Sequence, residues 1–156
     1  MRLSLPILWL ISLAMIFAIA GAPVFGLGNA PVDYSLHDTY YVVAHTRHVI
    51  SIGVTFLVFA ALYGFFKVVF GVEAKRKLGL LHWGVTSVGA ILIFAPTLAL
   101  SLMGTPDRYI DYPRNFAIWN AASSSGYILT LASIPLLLVV IFEALVRRWR
   151  PTDRQD

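Results

Sequence analysis

Four apolar runs, each long enough to cross a bilayer, constrain this chain more than any other feature. A helix needs about 20 residues to span about 30 Å of hydrocarbon. The runs Leu5–Leu27, Val42–Phe66, Leu78–Met103 and Ala121–Val146 all meet that length. The stretches between them, Gly28–Tyr41, Lys67–Lys77 and Gly104–Asn120, are too short to form a separate soluble domain. The alternating segments of about ten residues that mark a membrane β-barrel do not occur. Only 13% of the residues are charged and mean hydropathy is +0.76, whereas soluble domains carry about 25% charged residues. The sequence therefore predicts an all-α membrane protein with four transmembrane helices, a single domain over residues 1–156.

Direction follows from the basic residues, which concentrate on the cytoplasmic side of a membrane protein. In a four-span arrangement Arg2, Lys67, Lys75, Arg76, Lys77, Arg147, Arg148, Arg150 and Arg154 share one side, while Arg108 and Arg114 lie on the other. Arg47 lies just inside the second span. Both termini are thus expected in the cytoplasm or its organellar equivalent, and the 28–41 and 104–120 loops face outward. The net charge of +4 has this topological cause, and no nucleic-acid partner is expected. Arg2 followed by an apolar run and Ala18-Ile19-Ala20 also looks like a secretory signal with a small-residue cleavage site. The run continues through Val24, Phe25 and Leu27, longer than a signal core, and a retained helix is the expectation.

Small residues at Gly84, Ser87, Gly89 and Ala90, and again from Ser123 to Gly126, offer surfaces where helices can approach closely. With no cysteine present, thiolate metal sites and disulfides are excluded, leaving His, Asp, Glu and Tyr as ligands. The stretch LHDTYYVVAHTRHV (36–49) gathers most of that chemistry at the outer edge of the second span. His37 and Asp38 could hold a divalent cation if other groups complete its shell; equally, they could face water within an interfacial Tyr belt. His45 lies about 6 Å deeper than Tyr41 along a helix, where an ionisable side chain usually faces the bundle interior. It suits either a haem iron or metal ligand or a hydrogen bond to a neighbouring helix. At about 100° per residue, His45 and His48 share a face, and Arg47 points nearly opposite His45. A guanidinium cannot ligate a metal, but it can hold a carboxylate. A second outward polar set comprises Asp107, Arg108, Tyr109, Asp111, Tyr112 and Arg114. His82 and Glu143, near the inner ends of the third and fourth spans, are expected to be interfacial or inter-helix contacts.

These residues resemble a known family. DYSLHDTYYVVAH (33–45), then GTPDRYIDYP (104–113), WN (119–120) and SSSG (123–126) are similar, in order and spacing, to the last four helices of subunit I of the haem–copper oxidases. The resemblance implies that His45 matches the axial ligand of the high-spin haem. It also implies that His37 and Asp38 match groups binding magnesium or manganese near the haem propionates. Arg108 is the remaining member of an arginine pair that holds those propionates, Asp107 standing in place of the other. In the family a second histidine follows two residues after the first and ligates a low-spin haem; here that position is Arg47. The copper ligands, the cross-linked tyrosine and the other low-spin ligand belong to earlier helices of the family, and no copper is expected here.

The resulting expectation is a truncated, subunit I-like protein of a respiratory membrane, not catalytic alone, acting as an accessory or assembly component. One haem through His45 is the most it would hold. Its partners would be membrane lipid together with other respiratory-chain subunits or a second copy of itself. It would sit as a multi-pass protein in the inner or plasma membrane of a respiring bacterium, or an equivalent organelle membrane. The alternatives are the C-terminal piece of a split oxidase subunit I and a cofactor-free four-helix interaction protein.

Overall fold

The computed structural model describes residues 3–26, 47–103 and 114–149. Four α-helices occur among the described residues, in chain order: α1 (Leu5–Gly26), α2 (Val49–Phe70), α3 (Arg76–Leu102) and α4 (Ala117–Trp149), the last entered through a 3-10 turn at Arg114–Phe116. Helix is the form such runs must take in hydrocarbon, because only it pairs every backbone polar group within the segment. Among the described residues three helical stretches are long and apolar enough to cross a membrane, namely Val49–Phe70, Arg76–Leu100 and Arg114–Trp149, and Leu5–Ile19 is a shorter apolar one.

Helices α2, α3 and α4 each run beyond a hydropathy limit of the run that announces them. Helix α2 continues past Phe66 to Phe70 because its end is set by Gly71, not by polarity. Gly71 adopts a left-handed conformation (φ 63°) and its N–H bonds back to the Phe66 carbonyl, a conformation that costs glycine little. Helix α4 has 33 residues, about 50 Å, and so exceeds the hydrocarbon thickness. Pro96 and Pro135 lie inside α3 and α4 without ending them.

One stripe of α2 is buried: Val49, Ile52, Gly53, Phe56, Phe59, Ala60 and Tyr63, the three-and-four spacing of a single helical face. Against it sits Trp9 of α1, fully buried. The indole meets Phe56 edge-on at 5.0 Å and Phe59 at 5.1 Å between centroids, and stacks along Tyr63 at 6.3 Å. His82 of α3 closes the cluster at 5.2 Å from Trp9. Aromatic pairs at such separations add to plain area burial, so three helices are joined through one ring cluster.

Helices α3 and α4 meet through glycine. A Cβ added at Gly126 would lie 2.7 Å from the Ile93 nitrogen and 2.8 Å from the Gly89 oxygen, and one added at Gly89 would lie 3.0 Å from the Thr130 nitrogen. The two backbones are therefore in direct contact, as small-residue surfaces permit in lipid. Of the small residues noted in the third span, Gly84 takes no part, with nothing within 4 Å of its added Cβ. The outside is as apolar as the inside: Ile128, Leu131 and Phe142 of α4 are 68%, 68% and 69% exposed. A surface of that kind is solvated by lipid.

Candidate functional site

Helix α2 begins where the sequence concentrates its chemistry. The chain enters it through Arg47 and His48, which have π-helical geometry. Arg47 is exposed and His48 is buried, at 9% of its surface. Residues 100° apart on a helix diverge in this way when one side faces the bundle. The His48 ring points toward α4, where its Nε2 lies 2.7 Å from the Tyr127 hydroxyl. The two rings meet edge-on at 6.1 Å. The His48 Nδ1 is buried without a hydrogen-bond partner. Nothing in the 36–49 stretch predicted Tyr127 as the partner. Tyr127 was readable only as one polar tip within the fourth apolar run, next to the small residues that bring α4 close.

A second buried histidine lies toward the other end of the bundle. His82 is wholly enclosed, with its Nδ1 3.0 Å from the Tyr63 hydroxyl and Phe59 edge-on at 4.7 Å. This is an inter-helix contact, as the position of His82 in the sequence suggested. Tyr63 could have been found as the last member of the α2 stripe, the one carrying a hydroxyl.

The basic end of the bundle is tied by ion pairs. Glu143 of α4 meets Lys75 of the α2–α3 connection and Arg147, four residues on, both at 2.8 Å. Arg147 also donates to the Glu73 carbonyl at 2.6 Å, and the Glu73 carboxylate pairs with Lys67 at 2.6 Å. Arg148 lies over the Phe70 ring at 5.5 Å. Three segments are thereby pinned together: the end of α2, the connection and the end of α4.

His37, Asp38, His45 and Arg108 lie outside the described residues, as do Asp107, Tyr109, Asp111 and Tyr112. Among the described residues no group of three His, Cys, Asp or Glu side chains could hold a metal ion. The two described histidines are separate, one near each end of α2, each held by a tyrosine of another helix or turn of the bundle.

The fold and these polar contacts define a helical integral membrane protein, its two buried histidines paired across helix interfaces and six of its described basic residues, Lys67, Lys75, Arg76, Lys77, Arg147 and Arg148, gathered at one end. The sequence matches the family model for cytochrome c and quinol oxidase polypeptide I over residues 1–133. It is 41% identical over 151 residues to cytochrome c oxidase subunit 1 of Cereibacter sphaeroides, covering 97% of this chain and 27% of that one. The same-named protein of Eremothecium gossypii is 35% identical over 146 residues, covering 94% and 27%. That of Albinaria turrita is 33% identical over 136 residues, covering 87% and 70%. The chain belongs to the cytochrome c and quinol oxidase polypeptide I family. It spans about a quarter of the length of the first two relatives.

Proposed function

We propose that this chain is a subunit I-type component of a respiratory membrane that does not reduce oxygen by itself and acts as an accessory or assembly element. The observation that carries the reading is Arg47. It stands where the resemblance expects the second haem-ligating histidine, and its side chain is exposed while its neighbour His48 turns inward. A guanidinium stays protonated and offers iron no lone pair. A low-spin haem ligated from position 47 therefore does not fit, and His48 is engaged with Tyr127 on another face.

Under this reading all four helices cross an inner or plasma membrane of a respiring bacterium, or its organellar equivalent. Both ends of residues 1–156, a single domain, lie on the cytoplasmic side. Support comes from the clustering of Lys67, Lys75, Arg76, Lys77, Arg147 and Arg148 at one end of the bundle, which matches the positive-inside rule. His45 is the proposed ligand of at most one haem, with Arg108 as partner to its propionates. His37 and Asp38 are the proposed contributors to a magnesium or manganese shell. A haem, when bound, supplies electron-carrying chemistry; the chain's part is to hold it and exclude water. Other respiratory-chain membrane subunits, or a second copy of the chain, would cover the remainder of such a group.

The test is spectroscopic. The chain is purified alone and after co-expression with the other subunits of its membrane, and reduced-minus-oxidised spectra are read with haem and metal content. The expected result is at most one haem per chain, abolished by His45→Ala and retained in Arg47→Ala, with no oxygen uptake on reduced cytochrome c by the chain alone. Paired low-spin and high-spin signatures together with sustained oxygen uptake after co-expression would replace this reading with that of a split oxidase subunit. Haem retained in full by His45→Ala would remove the ligand assignment.

A further inference from the structure

An apolar groove of about 600 Å³ runs between α1 and α3 over a floor made by α2. Its walls include Ile16 of α1 and Phe94 of α3, and its floor includes Phe56. Along α3 it extends from Trp83 to Ala99, sixteen residues or about 24 Å. It is therefore long, narrow and aligned with the helices. The groove arises because α1 and α3 are joined near their basic ends, where Leu5 fills the space beside Gly79 and the Trp83 indole N–H donates to the Ser12 hydroxyl at 2.9 Å. Of its two lining hydroxyls, Ser12 donates onward to the Leu8 carbonyl at 3.0 Å and the Ser87 oxygen is buried without a partner.

Volume decides what can enter. A helix about 10 Å across occupies roughly 1,900 Å³ over 24 Å of length, more than the groove holds, so a helix would ride on its rim. A single extended hydrocarbon chain fits within it. The other half of the ligand's chemistry lies about 10 Å beyond the Trp83 end of the groove. Arg76 lies seven residues before Trp83, within about 20° of the same helical face, and its Nη1 donates to the Leu3 carbonyl at 2.8 Å. That bond fixes the guanidinium between the starts of α1 and α3. Beside it, Lys77 is exposed and makes no hydrogen bond or ion pair among the described residues. The other lysines and Arg147 at this end are paired with Glu73 or Glu143; Arg76 and Lys77 have no carboxylate partner among the described residues.

We infer that this groove is a binding site for one anionic phospholipid, its phosphate held at Arg76 and Lys77 and one acyl chain laid between α1 and α3. Half of a 30 Å hydrocarbon core is about 15 Å, which carries the chain from Trp83 to the level of Phe94. The inference rests on the groove and the charges beside it, and stands whether or not the chain binds haem.

The experiment uses the full chain in vesicles of phosphatidylcholine containing a minor fraction of phosphatidylglycerol with a photoactivatable group on one acyl chain. Crosslinked peptides are identified after illumination. The expected result is labelling concentrated on the peptides that carry Met15 and Ser87. Arg76→Gln should lower it about tenfold, the cost of losing one charge-assisted contact, and Ser87→Phe should block it by filling the groove from the α3 wall. Leu131→Phe, on the outer face of α4, should leave it unchanged. Circular dichroism confirms that each variant is folded, and Arg76→Gln, on the surface, keeps the test valid if Ser87→Phe is not. Equal labelling by a phosphatidylcholine probe, or labelling spread evenly over the exposed face of α4, would overturn the inference. So would a crosslinked dimer formed through cysteines placed at Met15 and Ile91, because a second copy would then occupy the groove; the chain has no native cysteine to confuse that readout.

Discussion

Replacing Gly126 by alanine adds a single methyl group at the point where α3 and α4 touch. The new Cβ would stand 2.7 Å from the Ile93 nitrogen, 2.8 Å from the Gly89 oxygen and 2.9 Å from the Ile93 Cγ1. Ordinary contact begins at 3.4 Å, so the shortfall against the nitrogen is 0.7 Å (3.4 less 2.7). Two of the three obstacles are backbone atoms of an intact helix, which cannot rotate away as a side chain could. The helices must therefore separate by a substantial part of that distance. A gap of 0.5–1 Å forfeits about a quarter to a half of each dispersion contact, and in lipid such packing is the main attraction between helices. Overpacking of this kind costs about 1–3 kcal/mol. Gly84→Ala is the matched control: the same methyl on the same bundle meets nothing within 4 Å, and alanine's helical preference over glycine can favour it by up to about 1 kcal/mol. The assay is reversible unfolding of both variants in mixed micelles with rising denaturing detergent, followed by circular dichroism. The expected order is Gly84→Ala at or above wild type and Gly126→Ala below it by at least about 1 kcal/mol. If Gly126→Ala unfolds with Gly84→Ala, the two backbones are not in contact and the α3–α4 crossing described above is wrong.

The other expectations concern polar pairs. Tyr63→Phe removes the hydroxyl beside the fully buried His82 and should cost about 1–3 kcal/mol, because an enclosed ring nitrogen is left without a partner; stability equal to wild type would show that the pair contributes nothing. Tyr127→Phe removes the partner of His48 Nε2 and should cost less, about 0.6 kcal/mol, the average for hydrogen bonds between membrane helices. A double-mutant cycle with His48→Ala should return a coupling of similar size, and zero coupling would dismiss the contact. Glu143→Gln leaves Lys75 and Arg147 facing each other without the shared carboxylate; a loss of up to about 1 kcal/mol, shrinking as salt is added, is expected from partly exposed pairs. A loss that does not depend on salt would mean the carboxylate acts through packing.

The apolar runs alone pointed to the helices found among the described residues, since hydrocarbon leaves a long apolar segment no other way to pair its backbone. They could also place Tyr63 on the buried stripe of α2, because three-and-four spacing is a local property. The motif blocks around His45 and Arg108 made the family legible, and the comparisons bear that out. The sequence could not say which polar groups pair across the bundle. His48 with Tyr127 is separated by 79 residues and Arg147 with the Glu73 carbonyl by 74, and nothing local to either residue encodes the other. Helix ends were not legible in the runs for a related reason: hydropathy measures where lipid stops, whereas α2 stops where Gly71 turns left-handed. Of the glycines, sequence marked Gly84 and Gly89 alike, and only the crossing of α3 on α4 separated them, placing one against backbone and the other in open space. The groove between α1 and α3 belongs wholly to tertiary structure, because it is the space left where two helices joined at one end stand apart along the rest of their length.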